Sequence, residues 1–502
     1  AETGIKSMIN GPESFTPDGN FILGEAPEQA GFFVGAGFNA FGIASGGGAG
    51  MALAEWVATG APPFDLWPVD IRRFGRVHRD TAWVRARTRE AYAKHYTMAW
   101  PSEEHSSARP TRRSPLYAHL AAKGAVFGEK LGWERPNWFA APGEVAEDIY
   151  TYGTPNWDGA VAREHMACRT TAVLFDQSSF AKFLLAGPDA EAALSWIAAG
   201  DVARPPGTLT YTQMLNDRAG IEADVTCARL SDGAYYITTG TGFATRDANW
   251  IARTIPSGLN AHLSDVTSGY AVVSLMGPRA RDILSQVCAE DVSNAGFPFG
   301  AVRTLFITGG PVMAMRLSYA GELGWELHIP TAYAVSVYEA LHTAGTDHGL
   351  TDAGYRAIET LRLEKGYRAW GGEIGPDTTP IEAGLDWACR KATPFKGQEA
   401  LIAARAAPRT RRLATFTTTS QIRLLGRETI FRGDTRVGYL ASGGTGHSLD
   451  RAIGMGYLTH PAGISEDWIL QGEYTLDVAG ARVPAEVTLR PLYDPENLRL
   501  KS

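Results

Sequence analysis

A carboxylate in the middle of a predicted strand is the first candidate for chemistry. The segment Asn216–Asp224 leads into this strand, and alternation places Ile221 and Val225 on one face and Asp224 on the other. Aspartate is disfavoured inside strands, so the side chain must face either water or a polar cavity. In a cavity it could hold an amine or exchange a proton. From spacing alone, we favour exposure to water.

Aromatic and acidic side chains also occur together in the segment Arg316–Leu327, which is predicted to form a strand, a turn and a strand. It contains Tyr319, Glu322, Trp325 and Glu326. An aromatic ring can stack on a flat heterocycle while a carboxylate accepts hydrogen bonds from its N–H groups. The pattern fits such a pocket and fits equally well a hairpin with an exposed charge.

A glycine-rich segment, residues 35–50, follows the apolar run Ala30–Phe38, which is predicted to be a buried strand. We predict a loop here, followed by a helix over Met51–Thr59. A dinucleotide fingerprint requires a helix directly after the glycines and an acid about 20 residues later. Because neither is present, we favour a loop that lies against a cofactor over a pyrophosphate site. A purely structural turn is the alternative.

The segment Leu361–Cys389 is predicted to begin as a helix and to end as a long polar loop. Its charged residues Arg362, Glu364 and Lys365 are typical of an exposed helix surface. We therefore expect no chemistry from them.

The elements that must position these residues include an internal repeat. Phe180–Ile197 and Tyr270–Val287 each contain a strand, a Gly-Pro pair and an amphipathic helix. Gly187 and Gly277, which begin the Gly-Pro pairs, are 90 residues apart. This spacing indicates two related α+β halves.

Two further β-rich regions are predicted. Tyr211–Leu215, Ile221–Leu230 and Tyr235–Thr239 are separated by short turns and should form an antiparallel meander. Residues 408–495 contain short strands and glycine-rich turns, which predict a small barrel or sandwich. The fold class is therefore α+β with several domains.

Composition excludes several classes of partner. The chain has 502 residues and a net charge of -7, so no net basic field attracts it to nucleic acid or anionic lipid, while a local basic groove for an acidic ligand stays open. Its apolar runs are shorter than the roughly 18 residues that span a bilayer. The four cysteines form no CxxC pair, so we expect no metal site and a reducing compartment.

Four segments in order carry a resemblance to a known family. YTQMLNDRAGIEADVTCARL, YAGELGWEL, RLEKGYRAWGGEIGPDTTPIEAGLDWA and FKGQEAL resemble the dimethylglycine dehydrogenase and sarcosine dehydrogenase family. The resemblance implies four domains. These are the end of a FAD-dependent oxidoreductase domain (1–68), a linking domain (69–130), a folate-binding aminomethyltransferase domain like the glycine-cleavage T-protein (131–405), and a C-terminal β-barrel (406–502).

The resemblance also assigns site residues. It aligns Asp224 with the catalytic aspartate near the reactive nitrogens of tetrahydrofolate, and Tyr319 and Glu326 with the tyrosine and glutamate of the folate pocket. Gly37, Gly42 and Ile43 lie in the segment that packs near the flavin. Plain T-proteins carry a folate-binding arginine before the helix that contains Arg362. Here Ile358 and Glu359 occupy the comparable positions, and Arg356 is the nearby alternative.

The implied activity is oxidation of an N-methyl amine by FAD, with tetrahydrofolate taking up the one-carbon unit as 5,10-methylenetetrahydrofolate. Full-length members begin with a GxGxxG fingerprint and a flavin-linking histidine, and neither occurs here. We therefore expect a missing flavin half, on the same polypeptide or on a partner subunit, and a chain that binds folate but not flavin. A transferase without its own oxidation step and a non-enzymatic folate-binding scaffold are the alternatives. The expected location is the cytoplasm, or the mitochondrial matrix in a eukaryote.

Overall fold

The chain folds as two compact units in a computed structural model that describes residues 4–420 and 422–502. One unit comprises residues 1–99 with 103–109, and the other comprises residues 100–102 with 110–502. Each unit is described by itself below.

The first unit contains a small antiparallel sheet and two helices. The elements are β1 (Ile22–Glu25), β2 (Phe33–Ala36), α1 (Gly42–Thr59) and α2 (Thr81–Lys94). Helix α2 begins at Asp80, whose carboxylate accepts hydrogen bonds from the backbone N–H groups of Ala82 and Trp83.

The glycine-rich segment differs from its prediction. Residues 42–50 are the first turns of α1 and not a loop, and the preceding strand is short and only partly buried. Ala49, Ala52 and Trp56 form a buried stripe with helical spacing. Burial of this stripe offsets the roughly 0.5–1 kcal/mol by which each glycine disfavours a helix relative to alanine. The prediction was wrong because glycine content was weighed without this tertiary contact.

The second unit contains most of the chain. Its elements are α3 (Tyr117–Ala122), β3 (Ala125–Lys130), β4 (Trp133–Phe139), α4 (Asp158–Thr170), β5 (Ala172–Asp176), β6 (Ala181–Ala186), α5 (Ala190–Ile197), β7 (Leu209–Leu215), β8 (Ile221–Ser231), β9 (Ala234–Thr239), α6 (Ala244–Thr254), β10 (His262–Asp265), β11 (Tyr270–Met276), α7 (Ala280–Val287), β12 (Val302–Ile307), β13 (Gly310–Met315), β14 (Gly324–Pro330), α8 (Ala334–Gly345), β15 (Leu350–Ala353), α9 (Tyr355–Lys365), α10 (Pro380–Ala383), α11 (Gln398–Ala406), β16 (Arg411–Thr418), β17 (Thr429–Arg432), β18 (Thr435–Gly446), β19 (Arg451–Thr459), α12 (Glu466–Leu470), β20 (Tyr474–Val478) and β21 (Ala481–Thr488).

Two sheets form the centre of this unit, with strand orders β10-β6-β9-β8-β7 and β12-β13-β14-β11-β5-β15. The repeat is confirmed, because β6 with α5 and β11 with α7 are equivalent strand–helix pairs in the two sheets. Gly187 and Gly277 join each pair with φ of 145° and 129°. A Cβ at Gly187 would lie 2.2 Å from the carbonyl oxygen of Asn260, and one at Gly277 would lie 2.5 Å from that of Thr171. Both turns therefore require glycine.

The C-terminal region is a closed barrel with strand order β16-β19-β18-β17-β20-β21, so the barrel prediction is confirmed. The expectation of surface charges on α9 is wrong, since Arg362, Glu364 and Lys365 are all buried. Arg362 donates to Ser442 of the barrel, Glu364 accepts from Ser448, and Lys365 pairs with Asp494 at 3.0 Å. The helix is enclosed because the barrel and the C-terminal segment pack on its charged face.

Neither bilayer spanning nor metal binding is indicated within the described ranges. No helix in residues 4–420 and 422–502 is long and apolar enough to cross a membrane. The same residues contain no group of three or more His, Cys, Asp or Glu side chains that could hold a metal ion.

Candidate functional site

The Asp224 carboxyl is positioned by the antiparallel pair β7–β8. The register places Gln213 directly opposite Asp224 and Tyr211 opposite Thr226. Because paired residues project to the same face, Tyr211, Gln213 and Asp224 share one face. The opposite face packs Met214 into the hydrophobic core, which fixes the register.

Asp224 is partly buried and does not lie on open surface, so the exposure favoured from spacing alone is wrong. Its Oδ1 accepts a hydrogen bond from Nε2 of Gln213 at 2.8 Å. Burial raises the pKa of the Asp224 carboxyl to about 6, although Gln213, the phenol of Tyr211 and the charge of Arg368 each act to lower it. The carboxyl is therefore poised to exchange a proton near neutral pH.

Tyr319 lies in the same cluster as Asp224. Its phenol donates a hydrogen bond to the carbonyl oxygen of Arg368 at 3.0 Å, and its ring stacks on Tyr367 with centroids 5.8 Å apart. Its pKa is raised, chiefly by burial, and the charge of Asp224 contributes. The phenol is therefore neutral and lines the cluster as an aromatic wall.

Glu326 is a buried carboxylate on β14, paired in register with Ser274 and Met315. Its carboxylate lies 3.7 Å from Nε2 of His328. Burial lowers the pKa of His328, which favours the neutral imidazole. The carboxylate therefore keeps acceptor capacity for the N–H donors of a ligand.

The structure brings two of the three predicted residues together directly. Asp224 and Tyr319 interact electrostatically, and both raise the pKa of Tyr211. The charge of Glu326 instead raises the pKa values of Tyr236 and Tyr355. No contact among residues 4–420 and 422–502 joins Glu326 to Asp224 or Tyr319. Tyr355 and Tyr319 nevertheless pack against the same hydrophobic cluster.

Arg356 was the nearby alternative to the folate-binding arginine of plain T-proteins. Arg356 forms a double hydrogen bond with Asp148 at 2.8 and 2.9 Å and lies 3.6 Å from the ring centroid of Trp157. Its guanidinium therefore already has partners within the chain. Arg368 is the arginine whose charge reaches Asp224.

Sequence reasoning missed Tyr211, Gln213, Arg368 and Trp387. Trp387 is exposed, and its ring centroid lies 5.9 Å from that of Tyr211, at the edge of the cluster. The predicted meander could have suggested Tyr211 and Gln213, because they alternate on the strand next to Asp224. Arg368 and Trp387 lie outside the regular strands and carry no periodic signal.

The predicted flavin residues lie in the first unit. Gly37 has a φ of 64°, and a Cβ there would lie 2.6 Å from Cγ2 of Thr16, so glycine is required for the turn itself. Gly42 begins α1, and Ile43 in its first turn is fully exposed. Contact of these residues with flavin stays a prediction.

Family comparisons match three consecutive regions. Residues 59–114 match the FAD dependent oxidoreductase central domain, residues 116–393 the GCVT N-terminal domain, and residues 411–494 the glycine cleavage T-protein C-terminal barrel domain.

Individual proteins are similar over the same regions. Human mitochondrial sarcosine dehydrogenase is 41% identical over all of this chain, which covers 59% of that protein. A mouse mitochondrial pyruvate dehydrogenase phosphatase regulatory subunit is 33% identical over 97% of this chain and 58% of its own length.

A solved structure shares the fold. The glycine cleavage system aminomethyltransferase T from Bartonella henselae matches 76% of this chain and 98% of its own with a TM-score of 0.65 and 26% identity. The chain therefore spans less than two thirds of the two curated relatives named above but nearly all of this transferase. It belongs to the glycine-cleavage T-protein family and, with its oxidoreductase segment, to the sarcosine dehydrogenase and dimethylglycine dehydrogenase family.

Proposed function

We propose that this chain is the folate-binding part of a flavin-dependent N-methyl amine dehydrogenase or demethylase. Tetrahydrofolate would take up the one-carbon unit of the amine as 5,10-methylenetetrahydrofolate. The observation that carries the proposal is the partly buried carboxyl of Asp224, which faces Tyr211, Tyr319 and Arg368. A relative named sarcosine dehydrogenase supports the class of substrate.

Each residue has a physical role in this proposal. In its ionised form Asp224 would orient the amine of the folate, stabilise a developing positive charge and accept a proton. Tyr319 would line the ring pocket. Glu326 would accept hydrogen bonds from the pterin, and the neutral His328 beside it leaves that acceptor capacity available.

The oxidation step would require FAD, which supplies hydride abstraction from the amine. The match of residues 59–114 to an oxidoreductase central domain favours this step over a plain transferase. We place Gly37, Gly42 and Ile43 near the flavin and expect the rest of its site on a missing half. The isolated chain should then bind tetrahydrofolate without a visible flavin spectrum, and a bound yellow chromophore would contradict this. The proposed compartment is the cytoplasm, or the mitochondrial matrix in a eukaryote.

The decisive experiment replaces Asp224 by asparagine in the 502-residue chain. Sarcosine mixed with formaldehyde supplies an iminium donor, and formation of 5,10-methylenetetrahydrofolate is followed above the spontaneous rate. Loss of a general base should lower the catalysed rate by about 10²–10⁴-fold. Asp217→Asn is the matched control, since Asp217 is exposed in the turn before β8 and pairs with the half-buried Lys396. Calorimetric titration with tetrahydrofolate should show retained binding in both variants.

A non-enzymatic role is the second candidate. It is favoured by the similarity to a protein named as a regulatory subunit. Under this alternative Asp224 is dispensable, so an unchanged rate in Asp224→Asn, or no rate above the spontaneous reaction in the unmodified chain, would overturn the enzymatic proposal.

A further inference from the structure

The side chain of Gln213 is fully enclosed and points at the candidate catalytic carboxyl. Gln213 lies directly opposite Asp224 in the β7–β8 pair, so the two side chains leave the same face with Cβ atoms about 5 Å apart. Nε2 of Gln213 donates to Oδ1 of Asp224 at 2.8 Å. A partly buried, charge-assisted hydrogen bond of this kind is stronger than one between neutral groups.

The orientation of the Gln213 amide depends on this contact. Its Oε1 is buried and has no hydrogen-bond partner among the described residues. In the reverse orientation, Oε1 would face the carboxyl oxygen of Asp224, and two acceptors would repel unless Asp224 carried a proton. The observed orientation therefore matches the ionised carboxylate.

The backbone holds Gln213 in place. Its carbonyl oxygen accepts a hydrogen bond from the N–H of Ala199 at 2.8 Å, and the next residue, Met214, is buried in the core. These contacts fix the backbone of Gln213, and the complete burial of its side chain restricts rotation of the amide away from Asp224. The donor is therefore preorganised before any ligand arrives.

We infer that Gln213 is a positioning residue that fixes the orientation of the Asp224 carboxyl and stabilises its ionised form. The inference rests on the proposed catalytic role of Asp224. The other groups that face Asp224 are Tyr211 on β7, Tyr319 before β14 and Arg368 after α9. Arg368 supplies charge from outside the sheet, whereas Gln213 supplies a directed donor within it.

The test is Gln213→Met, which keeps the volume and removes the donor. The ionisation of Asp224 is read from the carboxyl carbon-13 signal of Asp-labelled protein, which Asp224→Asn identifies. Loss of a hydrogen bond to a charged group should raise the midpoint of the Asp224 titration from about 6 by roughly one to two pH units. The ionised fraction at pH 7 would fall from about 90% to roughly 25%.

Activity supplies a second readout that a merely structural defect would not reproduce. The catalysed rate of Gln213→Met at pH 7 should fall about fourfold and recover at pH 9, where Asp224 is again ionised. Thr212→Val is the matched control. Thr212 is equally buried on β7, and its hydroxyl accepts from the N–H of Gly200 at 2.7 Å and donates to the backbone carbonyl oxygen of Gln213 at 3.1 Å. The variant therefore loses two hydrogen bonds, one of them on the Gln213 backbone, but keeps the side-chain donor to Asp224. It should leave the midpoint unchanged.

A second variant covers the case in which Gln213→Met does not fold. Gln213→Glu places a second carboxyl beside Asp224, so the pair should share a proton and the Asp224 midpoint should rise further. An unchanged midpoint in the folded variant, or a rate that does not recover at pH 9, would overturn the inference. Retained activity in Asp224→Asn would instead reject the proposed function, while the midpoint shift still reports the coupling of Gln213 to Asp224.

Discussion

Replacing Asp224 by asparagine should stabilise the protein even as it removes the proposed activity. Burial raises the pKa of the carboxyl from 3.8 to about 6, which means that the fold holds the proton more tightly than the unfolded chain does. Ionisation of Asp224 therefore opposes folding once the pH exceeds the unfolded value. Asparagine has the same shape and can still accept from Gln213 through Oδ1, but it is never ionised.

The magnitude follows from the two pKa values. A difference of about 2 units corresponds to about 3 kcal/mol, which is fully expressed above the folded pKa and absent well below the unfolded one. At pH 8 the variant should thus gain up to about 3 kcal/mol in unfolding free energy. At pH 5, where the folded carboxyl is largely protonated, the gain should fall to about 1.5 kcal/mol.

Urea unfolding followed by tryptophan fluorescence at pH 5 and pH 8 measures this difference. Asp217→Asn is the control, because its carboxylate is exposed and should show no comparable dependence on pH. A variant that is less stable than the original at pH 8, or a gain that is equal at both pH values, would refute the reasoning. Asp224 would then have no ionisation penalty in the fold.

Three further predictions concern the pocket, a turn and the buried charges. Glu326→Gln should weaken tetrahydrofolate binding by about 10–100-fold in calorimetric titration, since a neutral amide accepts less strongly, and unchanged affinity would place the pterin elsewhere. Gly277→Ala should lower the unfolding free energy by more than about 2 kcal/mol, because the new Cβ would meet the carbonyl oxygen of Thr171. Gly309 also has a positive φ but has open space around it, so Gly309→Ala should lower the unfolding free energy by only about 1 kcal/mol. Equal losses in the two variants would contradict the close approach at Gly277. Burial would raise the pKa of Glu364, but its contacts with His165 and Arg169 and a hydrogen bond from Ser448 lower it to about 2. Glu364→Gln should therefore lower the unfolding free energy by about 3 kcal/mol at pH 7, and the loss should shrink as the pH falls below about 4. A loss in urea melts that does not change with pH would argue against ionic pairing.

The hydrophobic periodicity of the sequence was sufficient to predict the elements that position Asp224. The meander, the strand–helix repeat and the C-terminal barrel follow from alternation and turn residues, which are local signals. Whether Asp224 faced water or a pocket did not follow, because Tyr319 and Arg368 approach it from distant parts of the chain. A strand pattern identifies a face but not what covers that face.

The errors have the same origin. The glycines of α1 were predicted as a loop because their helix is stabilised by the tertiary burial of Trp56. Arg362, Glu364 and Lys365 were predicted as surface charges because their partners lie in the barrel and the C-terminal segment. Charged residues are buried when each finds a partner, and sequence separation conceals such partners.

These buried charges connect the barrel to the candidate site. Helix α9 ends at Gly366, a left-handed residue, and the chain then turns so that Tyr367 stacks on Tyr319. Nη1 of Arg368 donates to the carbonyl oxygen of Gly366 at 2.6 Å, and its Nε donates to that of Ala383 at 2.9 Å, which holds the guanidinium within electrostatic reach of Asp224. The barrel anchors α9 through hydrogen bonds and the C-terminal segment anchors it through an ion pair, so together they set where this arginine can lie. The barrel would therefore serve the chemistry without contributing a reacting group, because it helps to keep a positive charge beside a carboxyl whose pKa burial raises.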